Sequence, residues 1–332
     1  MPPIQPSSRP DAAYRQGFLC GIAAFVGWGL FPMYWRLLAS VPSLELVCHR
    51  IIWSFVFLSV LAATRASLRR RTVPLCLTDV PLLAPVGRAK IGLIYTFAAV
   101  LISINWLTFI WAVNHGRVLE ASLGYYINPL LSVLLGVLCL GERLSRFQGI
   151  AIAIAAVGVT VMAFAGGEMP WISLALAGSF AVYGLVKKAA PLSSMAGLLV
   201  ETAVLILPAL GYVLALEYSG SGAITQGSSV SISLLMLGGC ITVLPLALFA
   251  TAAQRVPLST LGILQYVGPT LQLLIGIYIF KEPFGTGRLI GFSLVWIGSI
   301  VFLVALRSRH LSRHEANRTY AMAPELKLAS AE

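Results

Sequence analysis

Few residues of this chain carry charge inside apolar sequence, and those few set the chemistry open to it. His49, Arg50 and Glu201 lie within long apolar runs, with Arg36, Glu120 and Lys187 nearer the ends of such runs. An ionisable side chain in that setting is costly, so it marks either a site or a structural pair. Arg50 would offer a planar, two-pronged donor to an anionic group, or would snorkel or pair with a carbonyl or carboxylate for packing. His49 would carry protons or serve as a structural imidazole. Successive helical residues point about 100° apart, so at most one of His49 and Arg50 faces a cavity squarely. Glu201 would take up and release a proton if isolated, since burial disfavours its charge. Otherwise it is a structural partner for Lys187, Lys188 or Arg50.

Neutral polar and aromatic groups crowd three apolar runs: Asn105, Trp106, Trp111 and Asn114 in one, Tyr125, Tyr126 and Asn128 in the next, Gln265, Tyr266 and Gln272 in a third. Such groups suit a largely apolar ligand oriented by a few hydrogen bonds. They also suit hydrogen bonding between helices. The candidate ligand set is Arg50, Asn105, Trp106, Tyr126, Asn128, Glu201, Gln265 and Tyr266, with Glu201 and His49 as the groups for proton coupling. Pro129 and Pro269 each remove a backbone donor in mid-span and are expected to kink their helices. Glu142 and Arg146 have i,i+4 spacing at a span end and read as a structural termination. No Walker, HExxH, GxSxG, CxxC or paired-carboxylate pattern occurs, so no catalytic residue, metal ligand or cofactor is expected.

The elements that position these residues repeat. Tyr126-Ile-Asn-Pro129, Gly136, Glu142 and Gly158 recur as Tyr266-Val-Gly-Pro269, Gly276, Glu282 and Gly298, at a constant offset of 140. The chain is 58% hydrophobic and 11% charged, against about 25% charged for a soluble domain. Lipid must be its main solvent. Ten runs are long enough to span a bilayer: 17–37, 44–63, 91–112, 118–140, 147–165, 171–188, 196–216, 232–252, 260–280 and 287–306. With the N-terminus inside, 18 of the 23 Lys and Arg fall on the cytoplasmic side. That bias places both tails in the cytoplasm. Five spans per half is an odd number, so the second half is inverted relative to the first.

The expected fold is therefore all-α: an integral membrane protein of ten transmembrane helices in two inverted five-helix repeats, 17–165 and 166–306, flanked by a disordered N-tail, 1–16, and a disordered basic C-tail, 307–332. No cleavable signal is expected at the start. The net charge of +11 is concentrated in loops and tails that flank spans, which argues against nucleic acid and for lipid headgroups as a partner. The remaining partners are a small-molecule substrate and, left open, a second copy of the chain. Three readings follow: a secondary transporter working by alternating access, a passive facilitator or channel, and an intramembrane enzyme. The last lacks an acid/base or metal constellation.

A resemblance narrows these. Asn105-Trp-Leu-Thr-Phe-Ile-Trp-Ala-Val-Asn114, followed by Leu119-Glu-Ala-Ser-Leu-Gly-Tyr-Tyr-Ile-Asn-Pro129 and Leu140-Gly-Glu-Arg143, resembles the RarD proteins of the EamA-type drug/metabolite transporters. His49-Arg-Ile-Ile-Trp-Ser54, Leu258-Ser-Thr-Leu-Gly262 and Gln265-Tyr-Val-Gly-Pro-Thr270 match the same family, and the likeness covers about 17–306. It implies ten helices in two inverted repeats and export of small molecules across the bacterial inner membrane. It also implies a central cavity walled by the first four helices of each repeat, with the fifth outside. Asn105, Tyr126, Gln265 and Tyr266 are then candidates for its lining. The tails depart from the family.

Overall fold

The computed structural model describes residues 9–72, 88–140, 146–166, 169–189, 192, 194–253, 255–256, 264–302 and 304–305. Among the described residues there is helix and turn but no strand. The helices are α1 (Arg9–Arg36), α2 (Ser43–Thr72), α3 (Arg88–Asn114), α4 (Val118–Leu140), α5 (Arg146–Gly166), α6 (Trp171–Ala189), α7 (Ser194–Tyr218), the single turn α8 (Ala223–Gln226), α9 (Ser229–Ala253), α10 (Val267–Leu274) and α11 (Thr286–Phe302). Among the described residues six helices, α1–α4, α7 and α9, are long and apolar enough to cross a membrane. The apolar stretches of α5, α6, α10 and α11 are shorter, at 10–17 residues. Apolar side chains cover these helices on nearly every face, as a lipid-solvated bundle requires.

Two boundaries differ from expectation. α1 starts at Arg9, so residues 9–16 are helical rather than part of an unordered tail. Pro10 sits in the first turn, where its missing N–H costs nothing. Residues 1–8 and the C-tail 307–332 lie outside the described residues, as do Glu142 and Arg143. The ninth expected span, 260–280, is interrupted: α10 begins only at Val267 and runs into a five-residue π-helical turn, Ile275–Ile279. Pro269 is the third residue of α10 and lies four residues after Gln265, in the turn between helical Leu264 and Val267, so the Gln265 carbonyl is the one its missing N–H leaves without an intrahelical donor. Pro129 does lie inside α4.

Tight turns set the ends. Gly116 takes a φ of 67°, and the Arg117 N–H closes on the Ala112 carbonyl at 2.8 Å. That left-handed cap stops α3 and starts α4 two residues later. After the π turn, Lys281 takes the same left-handed region, with φ 55°. This turns Glu282 back toward the start of α4.

α2 packs on α9 and α7, α1 on α9 and α10, α3 on α6 and α7, and α4 on α6 and α10. The main core joins α1, α2, α3, α6, α7 and α9, around Trp35, Leu46, Ile110 and Leu176. A second cluster joins α4, α10 and α11 around Tyr126 and Phe292. The 140-residue frame reappears as reciprocal contacts. A methyl group at Gly158 would come 2.8 Å from the Gly291 carbonyl, and one at Gly298 would come 2.7 Å from the Ala151 carbonyl. Gly158 and Gly298 are 140 apart, and so are Ala151 and Gly291. Swapping the two halves thus exchanges the two contacts, as a two-fold relation does.

Candidate functional site

The structure distributes the candidate residues over three clusters. The first surrounds Arg50, near the start of α2. Pro42 precedes the helix, and the Leu46 N–H bonds to its carbonyl at 3.0 Å. The guanidinium carbon of Arg50 sits 4.1 Å from the ring centre of Trp106, 5.4 Å from that of Trp35 and 5.6 Å from that of Phe31. Phe31 and Trp35 are one turn apart on α1, and Trp106 comes from α3. The arginine is only 5% exposed. Asn105, next to Trp106, is buried and turned to α6: its amide donates to the Leu176 carbonyl at 2.9 Å and to Ser179 Oγ at 3.1 Å. Its carbonyl oxygen accepts from Tyr125 Oη at 3.4 Å. Asn105 therefore ties α3 to α4 and α6.

His49 lies on the same helix, with Nε2 3.9 Å from Glu45 Oε1. Glu217, from the end of α7, brings a carboxylate oxygen within 4.8 Å of both. Both acids serve α8. Glu45 accepts the Ala223 N–H at 2.6 Å. Glu217 accepts the Ile224 and Thr225 N–H groups at 2.9 and 2.8 Å. Carboxylates at a helix start fill its free donors and oppose its dipole. Sequence reading missed both acids and α8 itself, because a one-turn helix gives no periodic signal. The i,i+4 spacing of Glu45 and His49 was the available clue.

The second cluster is the seam where α4 meets α10. Tyr126 and Tyr266 stack with ring centres 5.9 Å apart and planes at 23°. The Tyr126 hydroxyl bonds to Thr270 Oγ1. Ser122 donates to the Pro269 carbonyl at 2.7 Å. Asn128 is buried, with Oδ1 unpartnered. Gln265 is half-buried in the turn before α10, and Tyr266 Oη is buried, facing Ser299 of α11. At one end of the seam Glu282 accepts the Val118 and Leu119 N–H groups at 2.6 and 2.9 Å. Burial raises the Glu282 carboxyl above the usual carboxylate range, opposed by those two hydrogen bonds.

The third cluster is an ion pair at the start of α7. Lys187 Nζ lies 2.7 Å from Glu201 Oε1, and Tyr183 Oη donates to Oε2 at 3.0 Å. Tyr95 and Tyr183 flank the ammonium. Of the partners weighed for Glu201, the structure selects Lys187; the Lys188 side chain lies outside the described residues. Arg50 is far away. Glu217 marks the Arg50 end of α7, and Glu201 is 16 residues earlier in the same helix, about 24 Å along its axis. Arg50 and Trp106 come together, as do Tyr126 and Tyr266; Glu201 joins neither group. The aromatic walls from α1 were not singled out from sequence, although Phe31 and Trp35 share a helical face.

Residues 15–164 match the model of the EamA-like transporter family. The chain is 45% identical to the Bacillus subtilis (strain 168) protein named "Uncharacterized transporter YojE", over 88% of this chain and 94% of that one. It is 44% identical to "Protein RarD" of Streptomyces exfoliatus, over 90% of this chain and 92% of that one. It is 40% identical to "Protein RarD" of Escherichia coli (strain K12), over 87% of this chain and 94% of that one. A solved structure described only as "Crystal structure of protein" shares the fold, with a TM-score of 0.54 and 20% identity over 88% of this chain and 99% of that one. The chain is a membrane protein of the EamA-like transporter family and a homologue of the RarD proteins.

Proposed function

We propose that this protein is a secondary transporter that exports a small metabolite or drug-like molecule across the bacterial inner membrane by alternating access. In this reading ten helices cross the membrane as two inverted five-helix repeats, 17–165 and 166–306, with both tails cytoplasmic. The observation that carries it is the reciprocal packing of Gly158 on Gly291 and of Gly298 on Ala151, together with the stacking of Tyr126 on Tyr266. Two inverted halves that rock about a shared seam produce contacts of this kind, and transporters of that design hold substrate where the halves meet.

The substrate path runs past Arg50, Asn105, Trp106, Tyr126, Asn128, Gln265 and Tyr266. Glu201 and His49 are the proton-coupling groups. Glu201 suits that role because its Lys187 partner and Tyr183 hold two defined acceptor positions that protonation would release. Flux from proteoliposomes tests the reading. Uphill movement driven by an imposed pH gradient supports coupled transport. Equilibration alone makes the protein a facilitator, product formation makes it an enzyme, and no flux for a broad metabolite panel removes the proposal.

A further inference from the structure

Arg50 carries a charge that no described residue neutralises. Among the described residues it donates no hydrogen bond and pairs with no carboxylate, and its Nε is buried without a partner. The charges that might have served are committed elsewhere. Glu45 and Glu217 hold the start of α8, and Glu201 holds Lys187. Glu201 makes the contrast instructive. It is the eighth residue of α7 as Arg50 is the eighth of α2, and it has a counter-ion at 2.7 Å.

Three aromatic faces surround the guanidinium, and their electron-rich faces attract a cation. Burying an unpaired ion costs more, even after relaxation, than such contacts return. The cage alone therefore leaves a deficit that an anion would remove. Two further donors point to the same chemistry. Trp35 Nε1, in a wall of the cage, and Ser54 Oγ, one turn along α2 from Arg50, are both buried without partners. A planar guanidinium with free edges grips a carboxylate or phosphate through two parallel bonds, and the indole and phenyl walls suit a flat apolar body.

We infer that the cargo is a small water-soluble organic anion, its carboxylate or phosphate on Arg50 and its apolar part against Trp35 and Trp106. This rests on the transporter reading above.

The test uses the full chain, purified in detergent and stripped of lipid so that no lipid phosphate competes. Tryptophan fluorescence is titrated with benzoate, phenyl phosphate and succinate, and with benzamide as a neutral isostere of benzoate. Wild type is expected to bind at least one anion tenfold or more tighter than benzamide. Arg50→Gln is expected to lose that preference, and Arg50→Lys to keep part of it through charge without the two-pronged geometry. Gel filtration verifies that each variant is folded; if Arg50→Gln is not, Arg50→Lys and Trp106→Leu carry the comparison and are each expected to weaken the anion. Equal affinity for anions and benzamide, an anion preference that survives in a folded variant, or no anion binding below roughly 10 mM overturns the inference. Counterflow of radiolabelled ligand in proteoliposomes separates the two ideas. Arg50-dependent binding without counterflow retains the anion site and removes the transport reading, whereas counterflow of neutral compounds without anion preference does the reverse.

Discussion

Tyr126 and Tyr266 occupy equivalent places in the 140-residue repeat, and they stack on each other with ring centres 5.9 Å apart. A residue touches its own repeat mate only where the relating axis passes close by. The contact therefore locates the seam of the molecule at α4 and α10, and the hydroxyls on either side of it differ. The Tyr126 hydroxyl is bonded to Thr270, while the Tyr266 hydroxyl faces Ser299 of α11.

The stacked pair should be energetically coupled. A double-mutant cycle of Tyr126→Leu and Tyr266→Leu, read by thermal or denaturant unfolding in detergent, is expected to give a coupling of about 0.5–1.5 kcal/mol. Additive effects would show that the two rings stabilise the seam independently.

The glycine crossing of α5 and α11 should tolerate no side chain. Gly158→Val would drive its Cβ against the Gly291 carbonyl at 2.8 Å and Leu294 Cβ at 2.9 Å, at a cost of about 1–3 kcal/mol. Gly149, on the same helix, has nothing within 4 Å of its Cβ position. Gly149→Ala should be neutral or stabilising by up to about 1 kcal/mol through helix propensity. Unfolding midpoints of the two variants make the comparison.

Glu282 should hold the start of α4 from the far half of the chain. Glu282→Ala leaves the Val118 and Leu119 N–H groups buried without their acceptor, at a cost of about 1–3 kcal/mol. Its titration has a definite sign. The folded carboxyl is raised above its unfolded value, chiefly by burial, so the folded state binds the proton more tightly. That contribution is fully present below the unfolded pKa and is lost as pH rises through the folded pKa. Stability followed from about pH 4 upward should carry a falling component in wild type that is missing in Glu282→Gln.

The Lys187–Glu201 pair should fail unequally. Glu201 is almost fully buried, and Lys187 is 17% exposed at its side chain. Lys187→Met strands a buried carboxylate, at a cost of about 3–5 kcal/mol. Glu201→Gln frees an ammonium that can reach water, and is expected to cost less by unfolding assay. In the same variant the pH dependence of flux should flatten; an unchanged pH profile removes Glu201 from proton coupling.

The sequence carried the frame further than the site. Gly158, Gly298, Tyr126 and Tyr266 are legible because both halves keep them: the tyrosines touch each other, and the glycines make equivalent contacts, on Gly291 and on Ala151. The caps were not legible. Glu282 reaches Val118 across 164 residues, and nothing local in Lys281-Glu282-Pro283 announces a distant helix start. Glu45 reaches Ala223 across 178 residues for the same reason. Arg50 was legible as a buried charge, but its surroundings were not. Whether an arginine finds a carboxylate or a ring depends on which faces of α1 and α3 turn inward, and helices that are apolar all round leave no periodic signal of that.

The central claim is that the chain moves a small molecule through the seam between its halves. Proteoliposomes are loaded with a pooled metabolite extract from the expressing host, and their contents are followed by mass spectrometry under an imposed pH gradient. The account predicts that one compound or a few leave faster from vesicles with wild-type protein than from empty vesicles, that anions are prominent among them, and that Arg50→Gln abolishes the difference. Release profiles identical to those of empty vesicles would contradict it.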